Sequence, residues 1–400
     1  MSDNLDLFLS HQIEFMKITS ILSFGLLGAL TLGFVSCNHA SSDEDTTGNQ
    51  TISEITTGGE NYELELVVDG LDIPWGLEFI DGKYLISEKN GKLLLVDQEN
   101  NRQEIQGMPE IWQQGQGGFL DLTLDPNYEE EPWIYMTYSS EGSETGKGTT
   151  TVSRAQLKGN QLENLSVLYR GQEDSDKGFH FGSRVVFDDE GYLYFSIGDR
   201  GNRDENPQSI YRDGGKIYRI HKDGSIPEDN PFVEVDGARS AIWSYGHRNP
   251  QGMVYHPALD AIWVHEHGPQ GGDEINQSEK GKNFGWPIIS YGINYDGSSF
   301  TEITEKEGME QPLYYWLPSI APSGMAYIHQ SNYPELEGSL FAGSLKFQYL
   351  ERLLLDGNKV AKRERWFSDV GRVREVIQAP DGNIYLSVES KGIYKMVPKA

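Results

Sequence analysis

The chain has 400 residues, enough for one large domain or two ordinary ones. Its 33 Lys and Arg stand against 61 Asp and Glu, a formal net charge of −28. Such a surface repels phosphate backbones, so nucleic acid is excluded as an expected partner. With 45 glycines, 21 tyrosines, 8 tryptophans and little helical periodicity, the composition points to an all-β protein with many turns.

The chain has one cysteine, Cys37, so no intramolecular disulfide can form. Met16 and Lys17 open "MKITSILSFGLLGALTLGFVSC", a short basic start followed by an apolar run rich in small residues, the form of a secretory signal peptide. Ser36 directly before Cys37 has the look of a bacterial lipobox, although Phe34 stands where Leu is usual. The acids in the preceding "MSDNLDLFLSHQIEF" point to Met16 as the true start. The expectation is an exported lipoprotein of the periplasm or the outer-membrane or cell surface, touching the membrane only through a lipid on Cys37. Residues 1–37 are read as the signal, and the polar, acidic residues 38–60 as a flexible tether.

From residue 61 to 400 one theme recurs: an apolar alternation, a turn, and a second alternation ending in a small residue. The units begin at Trp75, Gly117, Gly182, Gln251, Ser323 and Arg374, at a spacing of roughly 40 to 70 residues. Six such units predict a six-bladed β-propeller, with a pair of β-sandwiches as the alternative. "NYELELVVDG", before the first unit, is expected to supply the outer strand of the last blade. In a propeller the unit edges gather at one face, so distant residues converge there.

Those edges carry Gln116, His180, "YGHRNPQG" with His247, Arg248, Asn249 and Gln251, then Lys346, and finally Arg372 and Arg374. Residues two apart on a strand share a face, so the last two arginines are expected to converge. Positive charge gathered at one point of so acidic a chain suits a ligand with several carboxylates.

"VHEHGPQGGDEINQSEKGKNFGW", from Val264 to Trp286, sets a glycine-rich turn beside Asp273 and Glu274. Two readings fit these residues alone. One is an ordinary acidic loop; the other is a loop that offers hard oxygen donors to Ca²⁺, from the Gly268 and Pro269 carbonyls and the Glu274 carboxylate. His265 and His267 suggest a transition metal, but no third close ligand accompanies them.

As an ordered set, "GQGGFLDLTLDP", "FHFGSR", "YFSIGDRG", "GHRNPQG", "EHGPQGGDEIN", "NFGWP", "PSIAPSGM", "GSLK" and "RVREV" resemble the soluble pyrroloquinoline quinone (PQQ)-dependent sugar dehydrogenases, and the aldose branch more than the glucose branch. The resemblance covers about residues 62 to 398. It implies a six-bladed propeller that uses PQQ and Ca²⁺ to oxidise the C1 hydroxyl of aldoses to lactones and passes the electrons to an external acceptor. Carried over, it makes His180 the general base. Arg248 would steady charge growing on the quinone, and Asp273 would stand beside the reacting centre. Gln116, Asn249, Gln251 and Ser319 would hold the cofactor, and Lys346, Arg372 and Arg374 would pair with its three carboxylates. Gly268 and Pro269 would lend carbonyls to one Ca²⁺, and Glu274 with the Phe284 carbonyl would serve a second, structural one. Tyr314, Tyr315 and Trp316 would wall the flat cofactor or a sugar ring.

There are departures. Phe179 stands where the glucose branch has Asp, and Arg200 where it has Gln, which favours a broader aldose range. Two competing readings remain at this level: a calcium-dependent lactonase, and a non-catalytic propeller that binds glycans or proteins. The first has little need for four convergent basic residues, and the second calls for no histidine base facing a cofactor slot, whereas His180 and Arg248 are both present.

Overall fold

A computed structural model describes residues 55–400; the signal peptide, Cys37 and most of the expected tether lie outside the described residues. Within them the six repeats form six sheets. The innermost strands touch in a closed circuit, first to second, on to the sixth, and back to the first. The fold is the six-bladed propeller that the repeats predict, and the sole helical element among the described residues is a 3-10 turn, Pro334–Leu336.

Blade one comprises Pro74–Ile80, Lys83–Glu88, Leu93–Val96 and Arg102–Glu104. Blade two is Phe119–Leu124, Trp133–Glu141, Gly148–Lys158 and Gln161–Arg170. Blade three is Val185–Phe187, Leu193–Ile197, Lys216–Ile220 and Ile242–Tyr245. Blade four is Pro250–His256, Ala261–Glu266, Asp273–Ser278 and Tyr314–Trp316. Blade five is Pro322–Tyr327, Ser339–Ser344, Leu350–Asp356 and Lys359–Trp366. Blade six begins with Val373–Gln378, Ile384–Val388 and Gly392–Pro398. Its outer strand is Tyr62–Asp69, which runs antiparallel to Gly392–Pro398 and closes the ring as expected. Ile55–Thr57, assigned by sequence to the tether, pairs parallel with Arg363, Glu364 and Arg365 at the edge of blade five.

The apolar alternation is spent between blades. Leu193–Ile197 and Ile384–Val388 are buried at every position, because sheets pack on both of their faces. Trp263, Trp316, Met325 and Leu340 fill the seam between blades four and five. Each fully buried side chain of this kind contributes about 1.5–3 kcal/mol.

One irregularity positions the site. In five of the six blades the inner hairpin slips register near its start: between Pro74 and Leu77, Phe119 and Leu122, Pro250 and Gly252, Pro322 and Met325, and Val373 and Glu375. Such a bulge inserts an extra residue and re-aims its side chain. The bulged residues include Trp75, Leu120, Gln251 and Arg374, and all four line one axial cavity.

Candidate active site

Two cavities meet at that end of the axis, and Pro269 and Tyr295 line both. The axial well holds about 820 Å³, and its wall includes Gln116, Asn249, Gln251, Ser319, Lys346, Arg372 and Arg374. The side cleft holds about 340 Å³ and contains His180, Arg248 and Phe179. The structure thus brings together most residues that the sequence singled out.

His180 stands in left-handed backbone (φ 57°) just ahead of blade three. Its N–H donates to Gln116 Oε1 at 2.9 Å, and Asp199 Oδ1 accepts from its Nδ1 at 2.7 Å. Asp199 is fixed in turn: Gly201 N–H donates to Oδ1 at 2.8 Å and Trp286 Nε1–H to Oδ2 at 2.9 Å. With Nδ1 protonated toward Asp199, Nε2 carries the lone pair, and it has no hydrogen-bond partner among the described residues. Burial, then the Arg248 charge, hold the imidazole below its ordinary pKa against the pull of Asp199, so it is neutral at neutral pH. Asp199 is a member of the site that the sequence reading missed; its only signal was the position of "GDRG" at the end of a blade-three strand.

Arg200, read from sequence as a mere departure, secures the same segment. Its guanidinium lies 3.5 Å over the Phe181 ring and donates to the Phe179, Lys177 (2.8 Å) and Gly148 (3.2 Å) carbonyls. Gly115 is required beside it, since a Cβ there would fall 2.2 Å from the Gly178 oxygen. Phe179 stands edge-on to the His180 ring, 4.7 Å between centroids, with its outer face exposed.

Arg248 is buried and donates to the His267 (2.9 Å) and Gly268 (2.7 Å) carbonyls. Its backbone N–H is held by Glu266, whose other carboxylate oxygen meets His247 Nδ1 at 2.7 Å. Ser244 completes a buried Ser–His–Glu chain, with Oγ 2.9 Å from His247 Nε2. All three are sealed from solvent, so the chain is a brace under Arg248 rather than a nucleophile's machinery.

Asp273 departs from expectation. It is fully buried, lines neither cavity, and accepts from Gly268 N–H (2.9 Å), Ser319 Oγ (2.6 Å) and Ala321 N–H (2.8 Å). Burial pushes its pKa up to about 6 against those bonds. Its geometry is that of a clamp on the glycine-rich loop. That loop closes tightly: Gly271 and Gly272 take positive φ, and a Cβ on Gly268 would lie 2.2 Å from the Gly272 oxygen.

Tyr314 also departs. It and Trp316 face the core between blades four and five, while Tyr315 turns away and stacks on Tyr291 at 3.9 Å. The aromatic residues lining the well are instead Trp75, Phe181 and Tyr295, and those lining the cleft are Phe179, Trp286 and Tyr295. Arg372 and Arg374 do converge, but through the bulge and through Glu389, not through simple alternation. Glu389 Oε2 accepts from Arg372 Nε at 2.6 Å and Oε1 from Arg374 Nε at 3.0 Å. Neither Glu389 nor Lys89, both of which line the well, was singled out from sequence.

At the expected cation sites the donors differ. The Gly268 carbonyl is already engaged by the Arg248 guanidinium, so positive charge is present there in the chain itself. Glu266 and Glu274 are opposite one another on adjacent strands of blade four. Asn276 Nδ2 donates to both carboxylates at 3.2 Å, and its Oδ1 is buried with no hydrogen-bond partner among the described residues. Phe284 stacks on His247 at 4.6 Å, beside the same carboxylates. Burial and the neighbouring Glu266 hold the Glu274 carboxyl above the usual range. Two carboxylates and an orphaned amide oxygen are the donor chemistry of a hard divalent cation. His265 and His267 gain no third ligand: among the described residues no three His, Cys, Asp or Glu side chains cluster as a metal site.

Comparison with known proteins places this chain among the propeller sugar dehydrogenases. The profile of the Glucose / Sorbosone dehydrogenase family matches residues 71–395, and the chain belongs to that family. It is 39% identical over 346 residues to the aldose sugar dehydrogenase YliI of Escherichia coli K12, covering 84% of this chain and 93% of that one. The apo crystal structure of the soluble E. coli aldose sugar dehydrogenase superposes with a TM-score of 0.82 at 37% identity, over 84% of this chain and all of the other. A PQQ-bound aldose sugar dehydrogenase from Streptomyces coelicolor gives 0.70 at 25% identity, over 86% and all of the respective chains.

Proposed function

We propose that the protein oxidises the C1 hydroxyl of aldose sugars to the lactone, with PQQ in the axial well and the sugar in the side cleft. The observation that carries this reading is the His180–Asp199 dyad at the junction of a cationic well and a polar cleft. The well fits the cofactor: Lys346, Arg372 and Arg374 offer counter-charge to its carboxylates, Asn249, Gln251 and Gln116 offer polar contacts, and Trp75 is part of the apolar wall. Bound there, PQQ supplies a quinone able to accept hydride.

The chain's own part is positioning and proton transfer. His180 Nε2 takes the proton of the sugar hydroxyl, and the Asp199 carboxylate 2.7 Å from Nδ1 stabilises the imidazolium that forms. Arg248, fixed by Glu266, keeps positive charge at the junction where oxygen becomes electron-rich. Phe179 gives the cleft mouth an apolar edge in place of a carboxylate, which supports a broad aldose range. A structural Ca²⁺ would be held by the Glu274 carboxylate and by Asn276 Oδ1, which has no hydrogen-bond partner among the described residues. Electrons leave to an external acceptor.

The test reconstitutes residues 38–400 with PQQ and Ca²⁺ and follows dye reduction with a panel of aldoses. Saturable turnover that His180→Ala lowers by about 10²- to 10⁴-fold is expected. Well-folded protein that fails to bind PQQ would sink the reading and return the lactonase or binding propeller to the front.

We further propose export and lipid attachment at Cys37, supported by the apolar run and Ser36 before it. Fractionated cells should then show the wild type in the membrane pellet and Cys37→Ser in the soluble fraction. Equal partition of the two would remove the anchor.

A further inference from the structure

Granting that the axial well is the quinone site, we propose that Lys89 is a binding residue for one of the cofactor's carboxylates. With it, the well carries cations from three neighbouring blades: Lys346 on blade five, Arg372 and Arg374 on blade six, and Lys89 on blade one. An arc of that form matches a flat ligand with three carboxylates better than a cluster on one side.

Lys89 follows the strand Lys83–Glu88 and is pinned at both backbone atoms. Its N–H donates to the Ile73 carbonyl at 3.0 Å, and its own carbonyl accepts from Phe119 N–H at 3.1 Å. A Cβ on Gly118 would come within 2.7 Å of Lys89 Cγ and 2.1 Å of its oxygen, so the glycine leaves room for this residue. The Lys89 ammonium has no ion-pair or hydrogen-bond partner among the described residues. Lys346 likewise has no acid partner there, its ammonium lying 5.2 Å from the Phe347 ring centroid.

The two arginines stand differently. Both share Glu389, Arg372 also donates to the Leu345 carbonyl at 3.0 Å, and Arg374 to Gln251 Oε1 at 3.2 Å. Their charge is half answered before any ligand arrives. Lys89 and Lys346 are the uncommitted cations of the well, and a partly buried ammonium without a partner gains most from an incoming carboxylate. Burial, and next the Arg374 charge, already hold the Lys89 ammonium below its ordinary pKa.

The test titrates PQQ into apoprotein and follows the quenching of tryptophan fluorescence, with Trp75 in the wall, across a series of salt concentrations. Lys89→Gln should weaken the Kd by about 10- to 100-fold and flatten its salt dependence. Lys89→Arg should stay within about 3-fold of wild type. Binding by Lys89→Gln with wild-type Kd and salt slope would overturn the inference and leave the quinone reading standing. Absence of PQQ binding by the wild type would overturn both.

Discussion

Asp199→Asn is expected to lower kcat by about 10³- to 10⁴-fold while KM for the sugar stays within about 3-fold. The carboxylate does two jobs that an amide cannot do together. Oδ1 accepts from His180 Nδ1 and Gly201 N–H, and Oδ2 accepts from Trp286 Nε1–H. An Asn in one orientation turns its NH₂ against Trp286; in the other it faces His180 and forces the tautomer whose Nε2 carries hydrogen and takes no proton. Either way the negative charge that steadies the imidazolium is gone. The acid limb of kcat/KM reports the same group. In the proposed reaction only neutral His180 is active, and burial holds its pKa below the ordinary value, so the wild-type rate should fall only as pH drops below about 6.5. Loss of Asp199, which pulls that pKa up, moves the residual limb to still lower pH. An unchanged kcat or a limb displaced upward would deny Asp199 this role.

The second large effect concerns stability. Arg184 lies on the axis, buried, with its guanidinium 4.3 Å from the centroid of the Trp75 ring. It pairs with Asp121 Oδ1 at 3.0 Å and with Glu375, and donates to the Gln251 (2.7 Å) and Arg374 (3.1 Å) carbonyls. One side chain therefore ties the inner strands of blades two, four and six to blade three. Arg184→Met keeps much of the volume but leaves two buried carboxylates without a counter-charge, at a cost of about 3–5 kcal/mol. Urea midpoints measure it. Burial already pushes Glu375 and Asp121 up, and Arg184 pulls both down. Without that pull their folded pKa values rise further above the unfolded ones, so the deficit grows as pH rises and shrinks as it falls. Adding Asp121→Asn and Glu375→Gln should restore most of the loss. A variant as stable as wild type at pH 8 would mean that the axial cluster is dispensable.

The blades were legible because each repeat starts where an inner strand starts, and a period of two marks the alternation wherever it occurs. His180, Gln116, Asn249, Gln251 and Lys346 were legible for a related reason: they sit at repeat edges, and a propeller gathers edges at one end. What escaped has a physical cause in each case. Asp199, Glu266 and Glu389 are three acids among 61, and only partner geometry distinguishes a carboxylate that aims an imidazole from one that faces water. The bulges that aim Trp75 and Arg374 add a residue without altering the apolar pattern. Tyr314 failed the other way. Alternation along Tyr314–Trp316 puts its first and last rings on one face, and that face is the core.

The strand that completes the last blade is also among the first of the ring to be made. Val68 finds its partner in Ile393, so Tyr62–Asp69 waits while residues 70–391 are synthesised and arranged. Pairing over such a separation is slow to form, because the loop must close before any contact rewards it. Until then both the early strand and the growing sixth blade present open edges, which are templates for joining other chains. The circle that seats the axial well is thus sealed last, after every other blade is in place.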